Sequence, residues 1–109
     1  MRRFLITVAM LGGLAGCGTT VGDACTTNAE CGGQICINQD YTPGGYCSRP
    51  CSLADPKSCP NGTTCIRDGQ AKDNPACFRT CKAQGDCRLG YVCRAVRDNP
   101  TPVCVGPSI

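Results

Sequence analysis

Cysteine is the residue of this chain whose type and spacing point to chemistry. Thirteen of the 109 residues are cysteine and none is histidine. Cysteine thiolates attack substrates, bind metals or pair as disulfides. The absence of histidine excludes Ser-His-Asp and Cys-His catalytic sets and zinc sites with imidazole ligands. Cys17 stands apart from the other twelve, which are Cys25, Cys31, Cys36, Cys47, Cys51, Cys59, Cys65, Cys77, Cys81, Cys87, Cys93 and Cys104.

The first sixteen residues have the pattern of an export signal. Arg2 and Arg3 are followed by residues 4–16, an uncharged and largely apolar run that ends in small residues. As a helix this run would extend about 20 Å, which is less than the roughly 30 Å thickness of a bilayer core. We therefore interpret residues 1–16 as a cleavable signal peptide rather than a membrane span.

The end of this segment, Leu14-Ala15-Gly16-Cys17, resembles the lipobox of bacterial lipoproteins. The resemblance implies cleavage before Cys17, addition of diacylglycerol to its thiol and of a fatty acyl chain such as palmitate to its amine. Two or three acyl chains anchor a protein durably to a membrane. Residues 17–24 then form a lipidated tether that keeps the first folded module close to the headgroups. Gly18, where aspartate would favour the inner membrane, implies sorting to the outer membrane.

The number of cysteines agrees with this interpretation. An odd number cannot pair completely within one chain, and lipidation of Cys17 leaves twelve. Disulfides form and persist outside the cytosol, where a signal peptide would deliver the chain. We therefore expect six disulfides among the twelve cysteines that follow.

These twelve cysteines repeat as three modules, residues 25–50, 51–80 and 81–109. The intervals within the modules are 5, 4 and 10 residues, then 7, 5 and 11, then 5, 5 and 10. Each module has a glycine three positions before its third cysteine, namely Gly33, Gly62 and Gly90. A tight bend between close cysteines favours positive φ, which glycine adopts without steric cost.

The fold class predicted is small and disulfide-rich: three tandem four-cysteine modules with short β-hairpins and turns and little helix. No stretch has the apolar period of a long helix. Residues 34–38, 63–67 and 91–96 are short extended segments that can pair as hairpins. Residues 42–45, 73–75 and 98–100 contain the Pro, Gly and Asn of chain-reversing turns.

Residues 25–104 resemble the cysteine-rich surface lipoproteins of certain Gram-negative bacteria and the amino-terminal cysteine-rich region of Dickkopf proteins. The strings that carry the likeness are CPNGTTC, residues 59–65, and CRLGYVC, residues 87–93. The resemblance implies an exported, disulfide-rich fold and no known activity. A looser likeness to EGF-like units implies pairing of first with third and second with fourth cysteine. From the spacing alone the other pairings, and bridges across module borders, stay open.

The remaining composition predicts a fold held by disulfides, with a nearly neutral surface. Residues 17–109 contain only twelve Leu, Ile, Val and Phe side chains, too few to build a large core. The net charge of +3 falls to +1 once Arg2 and Arg3 are removed, since nine basic then face eight acidic residues. A charge so close to zero argues against a nucleic-acid partner.

Other site chemistry finds little support. No C-x2-C pair is present, which argues against structural zinc and thioredoxin-like redox chemistry. The eight carboxylates are scattered and match no calcium loop. We expect no cofactor, no metal and no catalytic residue. The eight carboxylate residues are Asp23, Glu30, Asp40, Asp55, Asp68, Asp73, Asp86 and Asp98.

The sequence thus predicts a lipid-anchored, non-enzymatic binding or structural module at the cell envelope, on the outer membrane. Its partners are the membrane, through the N-terminal lipid, and an unidentified protein. Exposed aromatic side chains would contact such a protein, although beside cysteines Tyr46 and Tyr91 are better explained as covers of disulfides. The aromatic candidates are Tyr41, Tyr46, Phe78 and Tyr91.

The alternative hypothesis is a protease inhibitor. A disulfide scaffold can hold a loop rigid and so lower the entropy cost of binding. The loops between third and fourth cysteines carry basic residues that suit a trypsin-like pocket, namely Arg67, Lys72, Arg94 and Arg97.

Overall fold

The computed structural model describes residues 20–71, 73–97 and 99–107, which form three antiparallel β-hairpins. The strands are β1 (Ile35–Ile37), β2 (Tyr46–Ser48), β3 (Thr63–Ile66), β4 (Ala76–Arg79), β5 (Val92–Val96) and β6 (Asn99–Val105). Each odd-numbered strand pairs with the strand that follows it. The helical content of the described ranges is three 3-10 turns, Asn28–Cys31, Pro56–Ser58 and Gln84–Asp86. The predicted fold class is confirmed.

Six disulfides join all twelve cysteines after residue 24, and each stays within one module. The pairs are Cys25–Cys36, Cys31–Cys47, Cys51–Cys65, Cys59–Cys77, Cys81–Cys93 and Cys87–Cys104. In every module the first cysteine therefore bonds to the third and the second to the fourth, as the likeness to EGF-like units implies. No bridge crosses a module border.

The third and fourth cysteines of each module lie opposite each other in its hairpin. Cys36 faces Cys47, Cys65 faces Cys77, and Cys93 faces Cys104. The first strand of each hairpin falls inside one of the three extended segments predicted from the sequence. The returning strand begins before the fourth cysteine. Each hairpin is thus fastened at both strands to the loop that precedes it.

The turn predicted at residues 98–100 is wrong in part. Asn99 and Pro100 already belong to β6, and Asn99 pairs with Val96, so the reversal is tighter than the Asp-Asn-Pro string suggests. Proline is tolerated there because a two-stranded hairpin consists only of edge strands, where a missing N–H breaks no ladder bond on the outer side. The connections at residues 42–45 and 73–75 lie outside the strands, as predicted.

The three predicted glycine turns are confirmed. The φ angles are +90° at Gly33, +83° at Gly62 and +92° at Gly90. Each glycine is the third residue of a four-residue turn closed by one backbone hydrogen bond. The donors are the N–H groups of Gln34, Thr63 and Tyr91, and the acceptors are the carbonyls of Cys31, Pro60 and Arg88.

The three modules share one core, which the repeat did not reveal. The rings of Tyr46 and Phe78 stack with centroids 4.6 Å apart, and the Tyr91 ring lies tilted beside Tyr46 with centroids 5.8 Å apart. One ring comes from each module, and the exposed fraction of each residue is 2 % or less. We call these three rings the aromatic stack. Val103 and Val105 are buried in the same cluster.

Two glycines with similar φ should differ in how much stability is lost when each is replaced by alanine. At Gly45 (φ +81°) a Cβ atom would fall on the carbonyl oxygen of Cys25, whereas at Gly33 (φ +90°) it would meet open space. Gly33→Ala should lower the free energy of unfolding by about 1–2 kcal/mol, the cost of a left-handed side chain. Gly45→Ala should lower it by several kcal/mol more, because backbone must move. Urea denaturation of both variants checks this, and equal losses would contradict it.

Candidate functional site

The described end of the expected tether, residues 20–24, packs against the fold. The N–H of Gly22 donates to the carbonyl of Cys47 (2.8 Å), and the N–H of Cys47 donates to the carbonyl of Asp23 (2.8 Å). Val21 packs against the core. Residues 20–23 form a turn closed by a hydrogen bond from the N–H of Asp23 to the carbonyl of Thr20 (3.1 Å), and this turn docks on the outer edge of β2. We call residues 20–24 the N-terminal segment.

Arg88 fixes this segment from the third module. Its guanidinium donates to the carbonyl oxygens of Gly22 (2.6 Å), Gly45 (2.6 Å) and Pro43 (2.8 Å), and it lies 4.4 Å from the centre of the Tyr91 ring. The planar fork of arginine can serve several acceptors at once, which lysine cannot. Sequence reasoning missed this residue, since an arginine beside a cysteine in a turn carries no distinguishing signal.

The N-terminal segment limits how far the fold can lie from residue 17. Cys17 and the rest of the predicted leader lie outside the described residues. Three residues of extended chain cover at most about 11 Å, so Thr20 lies within that distance of Cys17. A group attached to Cys17 would therefore hold the domain close to itself.

The described cysteines offer no thiolate to a metal. Sulfur atoms gather closely at three places, among them Cys25, Cys31 and Cys47. All the sulfur atoms in these groups belong to disulfides. A zinc site requires deprotonated thiolates, and a disulfide sulfur does not supply one. The close sulfur groups are the consequence of stacking two disulfides in each module.

Several carboxylates serve as caps of the short turns. Glu30 accepts a hydrogen bond from the backbone N–H of Thr26 (2.6 Å), which is the main reason that its pKa is lowered. Asp86 accepts from the N–H of Lys82 (2.8 Å), and its pKa is lowered for the same reason. These bonds satisfy backbone donors at the start of a 3-10 turn. The two carboxylates are therefore structural and form no acid–base pair.

Three of the four aromatic candidates are buried. A role as exposed partner anchor is therefore wrong for Phe78, whereas the burial of Tyr46 and Tyr91 agrees with the preferred interpretation that they do not face a partner. The three form the aromatic stack because a chain with so few aliphatic residues builds its core from rings. Tyr41 is half-buried, and its hydroxyl donates to the backbone carbonyls of Asp68 (2.9 Å) and Gly69 (3.1 Å). It joins the loop of the first module to that of the second.

The basic residues proposed for an inhibitory loop do not lie on one loop. Arg94 is half-buried within β5. Arg97 forms an ion pair with Asp68 of the second module. Arg67 is exposed beside β3, and Lys72 lies outside the described residues. An inhibitor needs one accessible basic residue. Burial counts against Arg94, whereas Arg67 is exposed, so inhibition stays the alternative hypothesis.

The second and third modules enclose an apolar groove of about 500 Å³. Its walls include Ile66, Phe78, Val96 and Val105. Asp68, Arg94 and Arg97 line the same groove, and the ion pair between Arg97 and Asp68 joins the loops of two hairpins. The volume lies within the range of 300–1,000 Å³ that is typical of sites for small ligands. We call it the apolar groove.

No protein-family model, curated protein or solved structure matches this chain. Function is therefore argued from the residues themselves. In the part of the chain that the structure covers, no helix has the length and apolar character needed to cross a bilayer.

Burial raises the pKa of Tyr46 and of Tyr91 to about 12, from an ordinary value of 10. A raised pKa means that the fold favours the neutral phenol, so its contribution is complete below pH 10. The contribution is lost as the pH rises from 10 to about 12. For Tyr46 the loss is at most about 1.4 kcal/mol per pH unit, and for Tyr91 it is smaller, because its phenol lies nearer to solvent, which screens the charge. Urea midpoints at pH 9 and pH 11 should show a large fall. In the Tyr46→Phe variant the urea midpoint should fall clearly less between pH 9 and pH 11. A fall as large as that of wild type would contradict the raised pKa of Tyr46.

Proposed function

We propose that this protein is a lipid-anchored, extracytoplasmic lipoprotein whose disulfide-stapled domain acts as a non-enzymatic binding or structural module at the cell envelope, on the outer membrane. The observation that carries the proposal is the complete pairing of the twelve cysteines after residue 24. Cys17 is left without a cysteine partner in its own chain, at the end of a lipobox-like string.

The six disulfides support an oxidising compartment. Structural disulfides are rare in the cytosol and common in exported proteins. Their regular pairing within three modules means that each is part of the architecture rather than an isolated redox pair. An export signal at residues 1–16 is the simplest route of this chain to such a compartment.

The position of the N-terminal segment supports anchoring at short range. Thr20 lies at most about 11 Å from Cys17 along the chain. Gly22 is held by both Cys47 and Arg88. A lipid on Cys17 would therefore place the folded domain against the headgroups, with little freedom to extend away from them.

A non-enzymatic role agrees with how the described polar groups are used. The buried hydroxyls of Thr42 and Ser48 donate to the carbonyls of Ile37 (2.9 Å) and Cys77 (2.6 Å). Glu30 and Asp86 cap turns, as described above. The hydroxyls of Thr20 and Thr26 donate to the carboxylates of Asp23 (3.2 Å) and Glu30 (2.8 Å), but both pairs are exposed and cap turns. Acyl or phosphoryl transfer would require a nucleophile and base positioned together in a cleft.

Intact mass spectrometry of the membrane-extracted protein tests the proposal. We expect a chain that begins at Cys17, carries two or three acyl chains and gains twelve hydrogens on reduction of its six disulfides. The Cys17→Ala variant is the control and should lack the acyl mass while it keeps the six disulfides. A leader that is retained on wild-type protein, or a free thiol at Cys17, would overturn the lipid anchor.

A pull-down under non-reducing conditions then separates the two roles. A binding module should retain a partner that is lost after reduction, whereas a structural coat should retain none.

A further inference from the structure

We propose that the apolar groove binds a fatty-acid anion, an alkyl chain that ends in a carboxylate, with Arg94 as its counter-ion. The groove lies between the second and third modules and holds about 500 Å³. The inference stands whether or not Cys17 is lipidated, because it depends only on residues of the folded domain.

The walls of the groove suit an alkyl chain. Ile66, Phe78 and Val105 lie beneath the groove and have exposed fractions of 5 % or less. The apolar surface that a ligand can cover therefore comes mainly from half-buried Tyr41 and Val96 and from exposed Ala95. An apolar chain that covers such surfaces gains about 25 cal/mol for each Å² removed from water. The groove is therefore an extension of the core surface to which solvent has access.

The charges at the groove leave one cation uncompensated. Its lining holds Arg94, Arg97 and Asp68, a net charge of +1. Asp68 is paired with Arg97, so that carboxylate is already used. Among the described residues no hydrogen bond or ion pair engages the guanidinium of Arg94. A half-buried guanidinium beside apolar walls favours an anion, and arginine binds a carboxylate through two parallel hydrogen bonds.

The other polar side chains of the lining, Tyr41, Asp68 and Arg97, already have partners, which favours an alkyl chain over a peptide. The hydroxyl of Tyr41 donates to the carbonyls of Asp68 and Gly69. The carboxylate of Asp68 also accepts from the N–H of Asp73 (2.9 Å). Peptide amides placed against these walls would lose hydrogen bonds to water without replacement. A ligand with one anionic end and an apolar remainder has no such groups.

The test uses residues 17–109 with Cys17→Ser, because every disulfide and core contact described lies within residues 20–107. Calorimetric titration compares decanoate with decanol, which has the same chain and no charge. Wild-type domain should bind decanoate at a single saturable site. In nuclear magnetic resonance spectra, the methyl signals of Ile66, Val96 and Val105 should shift.

Arg94→Gln should weaken decanoate binding about tenfold or more and change decanol binding by less than about twofold, because a hydrogen bond to a charged group is lost only with decanoate. Arg49→Gln removes an equal charge from an exposed side chain outside the groove, and it should leave both affinities unchanged. Ala95→Trp places a large ring at an exposed position of the groove lining. It should weaken the binding of both decanoate and decanol, because the ring occupies part of the groove.

Each of several outcomes would overturn the proposal. One is that wild-type domain shows no saturable binding of decanoate, and another is that the methyl signals that shift belong to residues outside the groove. A third such outcome is that Arg94→Gln weakens the binding of decanoate and of decanol equally. Tighter binding of an apolar peptide with a free carboxyl terminus than of decanoate would also overturn it, since it would identify a peptide site.

Discussion

Full reduction of the six disulfides will unfold the domain. The described core is small, with the aromatic stack and a few aliphatic residues at its centre. A disulfide stabilises a fold by about 2–4 kcal/mol, largely by restricting the unfolded chain. Six of them supply about 12–24 kcal/mol, which is comparable to or larger than the 5–15 kcal/mol by which a typical domain is stable. The native circular dichroism spectrum and the resistance to trypsin should therefore both be lost when the protein is reduced and alkylated.

Single disulfides provide the graded control. Cys31–Cys47 and Cys51–Cys65 close loops of similar length, with sequence separations of 16 and 14. Cys31 and Cys47 are buried, whereas Cys51 and Cys65 are half-buried. Replacing Cys31 and Cys47 by serine should lower the free energy of unfolding more than replacing Cys51 and Cys65, because hydroxyl groups then enter the core. Retention of native dichroism and protease resistance after complete reduction would refute the role assigned to the disulfides.

The sequence predicted the features that depend on short separations along the chain. Gly33, Gly62 and Gly90 lie three residues before a cysteine, and the local sterics of a tight turn were enough to predict their positive φ. The strands that contain the third cysteines follow from the same local argument. Each of these features repeats three times, so every module supports the interpretation of the others.

The features that the sequence did not predict join distant segments. Arg88 reaches Gly22 across 66 residues, and Tyr41 reaches Asp68 across 27. Neither contact has a periodic pattern or a motif, because the partners are backbone carbonyls that every residue carries. The repeat also suggested separate units along the chain. Three modules of this size each lack a core, and only their common packing buries the rings.

The apolar groove could not be predicted for the same reason. Ile66 and Arg94 belong to different hairpins, and only the packing of those hairpins places them around one space. Arg94 stood among four basic residues that looked alike in the sequence. The structure distinguishes Arg97 from Arg94 by their surroundings. Arg97 forms an ion pair with Asp68, whereas Arg94 lies beside the apolar residues of the groove.

Disulfides and the shared core have different effects on cooperativity. Because each bridge stays within one module, the bridges alone would leave three hairpins free to open separately. The aromatic stack couples them, since Tyr46, Phe78 and Tyr91 come from the three modules in turn. The N–H of Arg79 in the second module also donates to the Tyr46 hydroxyl of the first (2.8 Å). The domain should therefore unfold as one unit.

Removing the ring that the second module contributes to the aromatic stack tests this coupling. Phe78→Ala should lower the free energy of unfolding by about 3–5 kcal/mol, the usual cost of truncating a buried phenylalanine. Because Phe78 stacks on Tyr46, which in turn contacts Tyr91, amide exchange should accelerate in β1, β2, β5 and β6 as well as in its own hairpin. Leu89→Ala is the matched control, since Leu89 is fully exposed, and it should change stability by less than about 0.5 kcal/mol. If exchange accelerates only in β3 and β4 of the Phe78→Ala variant, the modules are independent units and the shared core does not hold them together.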